Sequence, residues 1–152
     1  TLLKRNPDAK MVVSPSDHII DDEQLFAETI IKAFEYIDHN DVLMNLGVVP
    51  TRADTNYGYI QIQGGRQAAE GDEPMPVKTF TEKPDRELAE VFISTGEFFW
   101  NAGIFIWKAQ TIREEMEKYL PEVSTLILEW ESECLKGKRP DMHTPRTQKW
   151  MT

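Results

Sequence analysis

Side chains able to bind a small polar ligand occur in four short segments of the chain. Each segment follows or begins a predicted strand, and in α/β sheets the ends of strands border the ligand crevice. We therefore treat the four as candidates for one site. The segments are Ser14 to His18, Thr55 to Ile60, Phe80 to Pro84 and Phe98 to Phe105.

A carboxylate and an ammonium group stand side by side in Glu82-Lys83-Pro84. A carboxylate accepts hydrogen bonds from hydroxyl groups, and an ammonium acts as a point charge for phosphate, so the pair suits a phosphorylated sugar. The proline predicts an extended backbone at Lys83. The alternative for Glu82 and Lys83 is a solvated surface ion pair.

Single polar or flexible residues mark the other three segments. Asp17 follows a strand, where its carboxylate could hold Mg²⁺, although a cap or turn role is the simpler interpretation. Gly58, between Tyr57 and Tyr59, would let a ligand approach the backbone, or would mark only a bulge. Asn101 lies in an apolar run, so its amide must be satisfied by backbone or by ligand hydroxyls.

Apolar periodicity indicates which elements would position these segments. A short run from Met11 to Val13 predicts a buried strand, Asp21 and Asp22 could cap a helix, and Val42 to Val49 predicts a second buried strand. This order predicts a parallel pair with a crossover and hence an α/β fold. Further strands are predicted at 57–63, 77–81 and 98–107. Further helices are predicted at 85–95, at 109–120 and from Pro121 onward. In the helix at 85–95, we expect Leu88, Ala89 and Phe92 to face inward.

Composition narrows the classes of protein. A formal net charge of −9 argues against a nucleic-acid partner, so phosphate binding would need a divalent cation or a few well-placed lysines. There is neither an apolar run long enough to span a membrane nor a leader pattern, which predicts a soluble, cytoplasmic protein. The single cysteine, Cys134, excludes an internal disulfide and reads as an ordinary helical residue.

The length of 152 residues predicts a single domain over 1–152. We expect residues 137–152, which are polar and lack periodicity, to form a loosely ordered tail. Because the chain begins without methionine and ends abruptly, we also expect an internal fragment of a longer protein. The sequence is compatible with a homo-oligomer.

Taken together, the segments resemble the nucleotidyltransferases that make nucleotide sugars, and more closely the mannose-1-phosphate guanylyltransferases. The matching motifs are Pro15 to His18, Tyr57 to Ile60, Phe80 to Pro84 and Trp100 to Phe105. The resemblance covers about Met11 to Pro121. It implies a Rossmann-like nucleotide-diphospho-sugar transferase fold, with a mixed, mostly parallel sheet flanked by helices.

The resemblance also implies the roles of the site residues in a reaction that joins GTP and mannose 1-phosphate to give GDP-mannose and pyrophosphate. Asp17 would be a catalytic Mg²⁺ ligand, and Lys83 would be catalytic by binding the phosphate. Glu82 and Asn101 would bind the sugar, as would the Gly58 backbone. Three neighbours depart from the family motifs without removing these groups: Ser16, Asn56 and Ala102.

The family's glycine-rich nucleotide loop, with its arginine and lysine, has no match here. Gly64-Gly65-Arg66 lies in a polar stretch and is expected to lack the flanking strand and helix. The resemblance thus implies that the N-terminal nucleotide-binding unit is missing and that this chain alone is inactive. Three alternatives stay open: a glucose-1-phosphate uridylyl- or thymidylyltransferase, a non-catalytic regulatory subunit that binds a nucleotide sugar, and a purely structural α/β module.

Overall fold

A computed structural model describes residues 2–69 and 73–136 of the chain. The tail predicted at 137–152 lies outside the described residues. Contacts divide the chain into two compact units: Lys10–Lys108, and Thr1–Ala9 together with Ala109–Thr152. The prediction of a single domain stays a prediction, and each unit is described by itself.

The elements largely follow the predicted order. They are α1 (Leu2–Arg5), β1 (Lys10–Val13), α2 (Glu23–His39), β2 (Met44–Val48), β3 (Tyr59–Ile62), α3 (Gly65–Ala68), β4 (Val77–Thr81), α4 (Arg86–Thr95), β5 (Phe98–Lys108), α5 (Ala109–Tyr119) and α6 (Pro121–Leu135).

The long strand β5 is the centre of the sheet. Trp100 on β5 pairs with Val48 on β2 and with Tyr59 on β3, so β2 and β3 lie on opposite edges of β5. β1 pairs with the last four residues of β5, on the same edge as β3, and β4 pairs with β3. The strands that carry the four candidate segments are therefore all in one sheet.

The α/β class, with helices packed on a sheet, is confirmed, but the expected strand directions need correction. The predicted direct pairing of β1 with β2 is wrong, because β5 lies between them. Each pairing among the described strands is antiparallel, not mostly parallel as expected. β1 and β2 do run in the same direction. An apolar run predicts a strand, but it does not reveal that a strand from much later in the chain inserts between two earlier ones.

The helix α2 begins at the predicted cap and packs on the sheet. The side chain of Asp22 accepts a hydrogen bond from Leu25 N at 2.9 Å, which satisfies one of the free N–H groups of the first turn. Further along α2, Ala33 and Ile37 are buried with Ile106 of β5 in one apolar cluster. Apolar burial of this kind, more than helix propensity, holds such a helix in place.

The helix α4 covers a second apolar cluster of the sheet. Ala89 and Phe92 pack with Tyr59, Phe98 and Trp100, and the rings of Phe92 and Phe98 stack with centroids 3.9 Å apart. This cluster fixes the beginning of β5 against β3.

Three expectations about burial are wrong. Leu88, expected to face inward, is 39% exposed, because the buried face of α4 is centred on Ala89 and Phe92 and leaves Leu88 at its flank. Val12 and Val13, expected to be buried, are exposed, because β1 lies at an edge of the described sheet and pairs there with β5 alone. The stretch from Val42 to Val49, expected to be a second buried strand, is half-buried over Met44 to Leu46 and exposed at Val48 and Val49, which lie outside the apolar cluster under α2. Apolar character alone does not predict which residues have a neighbour to cover them.

A one-turn helix, α3, lies in the connection between β3 and β4. The expectation that Gly64-Gly65-Arg66 lacks a flanking strand and helix is therefore wrong. Arg66 donates from Nε to the Gly96 carbonyl at 3.0 Å and from Nη2 to the Ile93 carbonyl at 3.4 Å. A cation at the C-terminus of a helix satisfies free carbonyls and interacts favourably with the helix dipole. Arg66 thus stabilises the end of α4.

The second unit contains α1, α5 and α6. The backbone N–H of Ala109 donates to the Ala9 carbonyl at 2.8 Å, and Lys4 and Glu131 approach to 3.5 Å. Pro121 is in the first turn of α6, as predicted, and Cys134 is exposed. Among the helices of the described residues, none has the length and apolar character needed to cross a membrane.

We predict that Asp85→Ala destabilises the sheet unit by about 1 kcal/mol, the usual effect of losing an N-cap side chain. Asp85 accepts a hydrogen bond from Leu88 N at 2.8 Å and begins α4. Urea unfolding would measure the change. The matched control is Glu90→Ala, which removes only an exposed i,i+4 pair with Arg86 and should change stability by less than about 0.5 kcal/mol. Equal effects for both variants would contradict the capping role.

Candidate functional site

Three of the predicted site residues come together at the start of β3. The backbone N–H of Asn101 donates to the Gly58 carbonyl at 2.8 Å, and Gly58 is buried. A Cβ atom built on Gly58 would lie 2.7 Å from Glu82 Oε2 and 3.6 Å from Asn101 Nδ2. The missing side chain of Gly58 thus leaves room for both polar groups to point at one place. Their roles in ligand binding stay predictions.

The side-chain oxygen of Asn101 links β5 to β2. Its Oδ1 accepts hydrogen bonds from Gly103 N at 2.8 Å and from Asn45 Nδ2 at 2.9 Å. Both acceptor positions of this oxygen are therefore used within the protein. The Nδ2 group, beside Gly58, makes no hydrogen bond to the described residues. The structure therefore confirms the interpretation of Asn101 as an amide that links two strands, and a ligand contact through its NH₂ group stays a prediction.

Lys83 has a backbone conformation that the sequence does not predict. Its φ is 42°, so the expectation of an extended backbone is wrong. The chain must turn from β4 into α4 within a few residues, with the buried Pro84 fixing the exit. A left-handed conformation of a residue other than glycine typically costs about 1–3 kcal/mol and is often found at functional sites.

The side chains of Glu82 and Lys83 form a loose, exposed pair. Lys83 Nζ lies 3.9 Å from Glu82 Oε1, and the side chains are 65% and 70% exposed for lysine and glutamate respectively. Exposed pairs of this kind contribute little to folding stability. Both charged groups are therefore free to reorient toward a ligand at small cost.

Asp17 is exposed in the segment that follows β1. Pro15, two residues earlier, lies against Gly103, with its Cγ 3.4 Å from where a Cβ of Gly103 would be. The segment therefore reaches the part of β5 that follows Asn101. Within residues 2–69 and 73–136, no hydrogen bond or ion pair engages the Asp17 carboxylate.

Asp17 could hold Mg²⁺ only together with ligands that come from a bound phosphate and from water. The described part of the chain contains no cluster of three or more His, Cys, Asp or Glu side chains that could hold a metal. Mg²⁺ often needs only one or two carboxylates, with phosphate oxygens and water completing its octahedron. The single carboxylate of Asp17, four residues after the end of β1, would serve only in that second type of site.

Sequence reasoning missed a cluster of aromatic and charged side chains in and near the connection between β2 and β3, formed by Arg52, Asp54, Tyr57 and Trp100. The guanidinium of Arg52 lies 5.2 Å from the centre of the Trp100 ring, on which Tyr57 also packs at 4.8 Å. Arg52 is also paired with Asp54 at 2.6 Å. Cation–π and ion-pair contacts together hold the guanidinium in one position. An arginine in a connecting loop gives no sequence signal of such a contact.

Asp54 makes several hydrogen bonds within the connection between β2 and β3. Its carboxylate accepts a hydrogen bond from Asn56 N at 2.9 Å, and its own backbone N–H and carbonyl both bond to the Tyr59 hydroxyl at 3.0 Å. The pKa of Asp54 is lowered, first by the Asn56 backbone bond and then by Arg52. The carboxylate is therefore held in its charged form, opposite the arginine.

The chain belongs to the nucleotidyl transferase family, whose pattern it matches over residues 1–151. It is 37% identical, over 120 residues, to a mannose-1-phosphate guanylyltransferase from Klebsiella pneumoniae. That match covers 79% of this chain and 25% of the relative, so the chain spans about a quarter of the relative's length. The resemblance to this group of enzymes is confirmed.

Two solved structures share the fold. A mannose-1-phosphate geranyltransferase from Thermus thermophilus gives a TM-score of 0.70 at 26% identity, covering 84% of this chain and 37% of that protein. A mannose-6-phosphate isomerase from Helicobacter pylori gives a TM-score of 0.65 at 31% identity, covering 76% and 41%. The antiparallel arrangement around β5 therefore belongs to a fold that is known from larger proteins.

We predict that Gly58→Ala changes the free energy of unfolding by less than about 1 kcal/mol, because the new methyl group displaces only the exposed, flexible carboxylate of Glu82. Gly47→Ala is the matched control. Its Cβ would lie 2.9 Å from the Phe99 Cβ, which the backbone anchors, so overpacking should cost about 1–3 kcal/mol. Chemical denaturation of both variants provides the comparison. A Gly58→Ala variant as unstable as Gly47→Ala would show that the space beside Gly58 is needed for folding.

Proposed function

We propose that this site binds mannose 1-phosphate and serves a mannose-1-phosphate guanylyltransferase reaction. The observation that carries the proposal is the convergence of the Glu82 carboxylate and the Asn101 NH₂ group on the space left by Gly58. The name of the relative from Klebsiella pneumoniae supports the choice of sugar phosphate. No observation favours a glucose-1-phosphate enzyme or a regulatory subunit.

Each group would bind a different part of the sugar phosphate. The ionised carboxylate of Glu82 can only accept hydrogen bonds, which suits sugar hydroxyls. The NH₂ group of Asn101 can only donate, which suits a hydroxyl oxygen. Lys83 lies next to Glu82, so its ammonium could reach a phosphate attached to the same small sugar. Gly58 offers backbone rather than side chain, so the ring can approach closely.

The reaction needs positioning more than covalent chemistry. A phosphate oxygen of the sugar forms a bond to the α-phosphorus of GTP, the bond from that phosphorus to the bridging oxygen breaks, and pyrophosphate leaves. Residues of this chain would hold the sugar phosphate in place and neutralise part of its charge, and such orientation and charge stabilisation can supply most of a rate enhancement. The net charge of −9 makes the local ammonium of Lys83 important.

We propose Asp17 as a ligand of Mg²⁺. When bound, the ion would neutralise phosphate charge, a common role of Mg²⁺ in such enzymes. We also propose a cytoplasmic location for the protein. We expect no turnover from this chain by itself, because it contains no match to the glycine-rich nucleotide loop.

We predict that Lys83→Ala weakens binding of mannose 1-phosphate at least about tenfold, because the phosphate loses a charge-assisted contact. Calorimetric titration of the protein with mannose 1-phosphate, and separately with mannose, would measure this. Mannose lacks the phosphate and should bind the variant and the wild type equally. Lys78→Ala is the control, since it removes a lysine from an exposed position on β4.

Lys83→Ala should weaken binding of mannose 1-phosphate but not of mannose, because only the first ligand carries a phosphate. Equal weakening of mannose and mannose 1-phosphate by Lys83→Ala would contradict the role of the ammonium. Tighter binding of glucose 1-phosphate than of mannose 1-phosphate by the wild type would overturn the choice of sugar. Absence of binding for every sugar phosphate would overturn the proposed site.

A further inference from the structure

We infer that Asn45 is a positioning residue that fixes the direction of the Asn101 amide, so that the Asn101 NH₂ group faces the sugar. This inference rests on the proposed function, because it concerns the same ligand. Asn45 lies on β2, 56 residues away in sequence from Asn101, and its Nδ2 is 2.9 Å from Asn101 Oδ1.

The contact exists because the β2–β5 pairing is irregular. Asn45 pairs with Phe105 and Gly47 pairs with Asn101, so two steps along β2 correspond to four along β5. The extra residues of β5 include Gly103, whose φ of 67° is in the left-handed region that favours glycine. This bulge lets the N–H of Gly103 turn back to Asn101 Oδ1 at 2.8 Å. The same oxygen is thus approached from β5 and from β2.

The two donors together assign the Asn101 amide. A backbone N–H can only donate, so the atom facing Gly103 N must be the oxygen of Asn101. The second donor to that oxygen must then be the NH₂ group of Asn45. With its oxygen held by both, Asn101 directs its own NH₂ group to the opposite side, beside Gly58.

The orientation of Asn45 leaves one of its own atoms unsatisfied. Its Oδ1 is buried and has no hydrogen-bond partner among the residues the structure describes. A buried acceptor without a partner destabilises a fold, and an apolar side chain of similar shape would avoid that penalty. Folding stability therefore does not explain an amide at position 45. The hydrogen bond from Asn45 to Asn101 does explain it.

Two substitutions of Asn45 separate positioning from packing. Asn45→Leu keeps the approximate shape but removes both the donor and the unsatisfied acceptor, so the melting temperature should stay within about 3 °C of wild type. Binding of mannose 1-phosphate should still weaken about fivefold, as one orienting hydrogen bond is lost. Asn45→Asp replaces the donor with an acceptor, which favours the reversed Asn101 amide and should weaken binding about tenfold or more.

A double-mutant cycle tests whether Asn45 acts through Asn101. Asn45→Leu should weaken mannose 1-phosphate binding in the wild type and have no further effect in an Asn101→Ala background. The control is Asn40→Leu, because Asn40 also uses its amide within the fold, donating to the Tyr36 carbonyl at 2.8 Å. It should lower the melting temperature and leave binding unchanged. If Asn45→Leu fails to fold, the cycle is completed with Asn45→Asp.

The outcomes distinguish this inference from the proposed function. Weakening by Asn101→Ala, without weakening by either Asn45 variant, would overturn the positioning role and leave the proposed function standing. Equal weakening by Asn45→Leu in both backgrounds would also overturn it, since the effect would not pass through Asn101. If Asn101→Ala binds mannose 1-phosphate as tightly as wild type, the proposed site and the inference both fail.

Discussion

The candidate site depends on the hydrogen bonds around one side chain, that of Asn101. Its oxygen accepts from Gly103 on its own strand and from Asn45 on β2, while its backbone N–H donates to Gly58 at the start of β3. These bonds connect β5 with β2 and with the start of β3. An amide oxygen that accepts from two donors is held in one direction by them. The free NH₂ group is then presented with a defined direction.

Unusual backbone conformations and close backbone contacts occur near Asn101 and Glu82. Gly103 and Lys83 both have positive φ, and Gly58 has no room for a Cβ unless the Glu82 carboxylate moves. Strained or close-packed backbone of this kind persists only where the surrounding structure determines it. Here the surroundings are the α4 cluster with Phe92 and the antiparallel pairing of β5. The apolar packing and strand pairing at the beginning of β5 thus support the neighbouring segment that carries Glu82 and Lys83.

Much of this arrangement is predictable from the sequence, and the exceptions have physical causes. Capping aspartates, prolines and periodic apolar residues act locally, so the helices that begin after Asp22 and Asp85 were predictable. Strand direction and order depend on distant partners, and nothing near β1 or β2 indicates that β5 inserts between them. The convergence of Gly58, Glu82 and Asn101 was expected from the resemblance of their motifs to those of one family. The contributions of Asn45 and Arg52 did not, because each depends on a contact with a residue about fifty positions away.

A structure of the protein with bound mannose 1-phosphate tests the central claim most directly. The account predicts that the sugar occupies the space beside Gly58, with Asn101 Nδ2 and a Glu82 carboxylate oxygen within hydrogen-bond distance of its hydroxyl groups. It also predicts that Asn101 Oδ1 keeps its bonds to Gly103 and Asn45. A sugar bound on another face of the sheet, or an Asn101 amide that stays out of contact with it, would contradict the account.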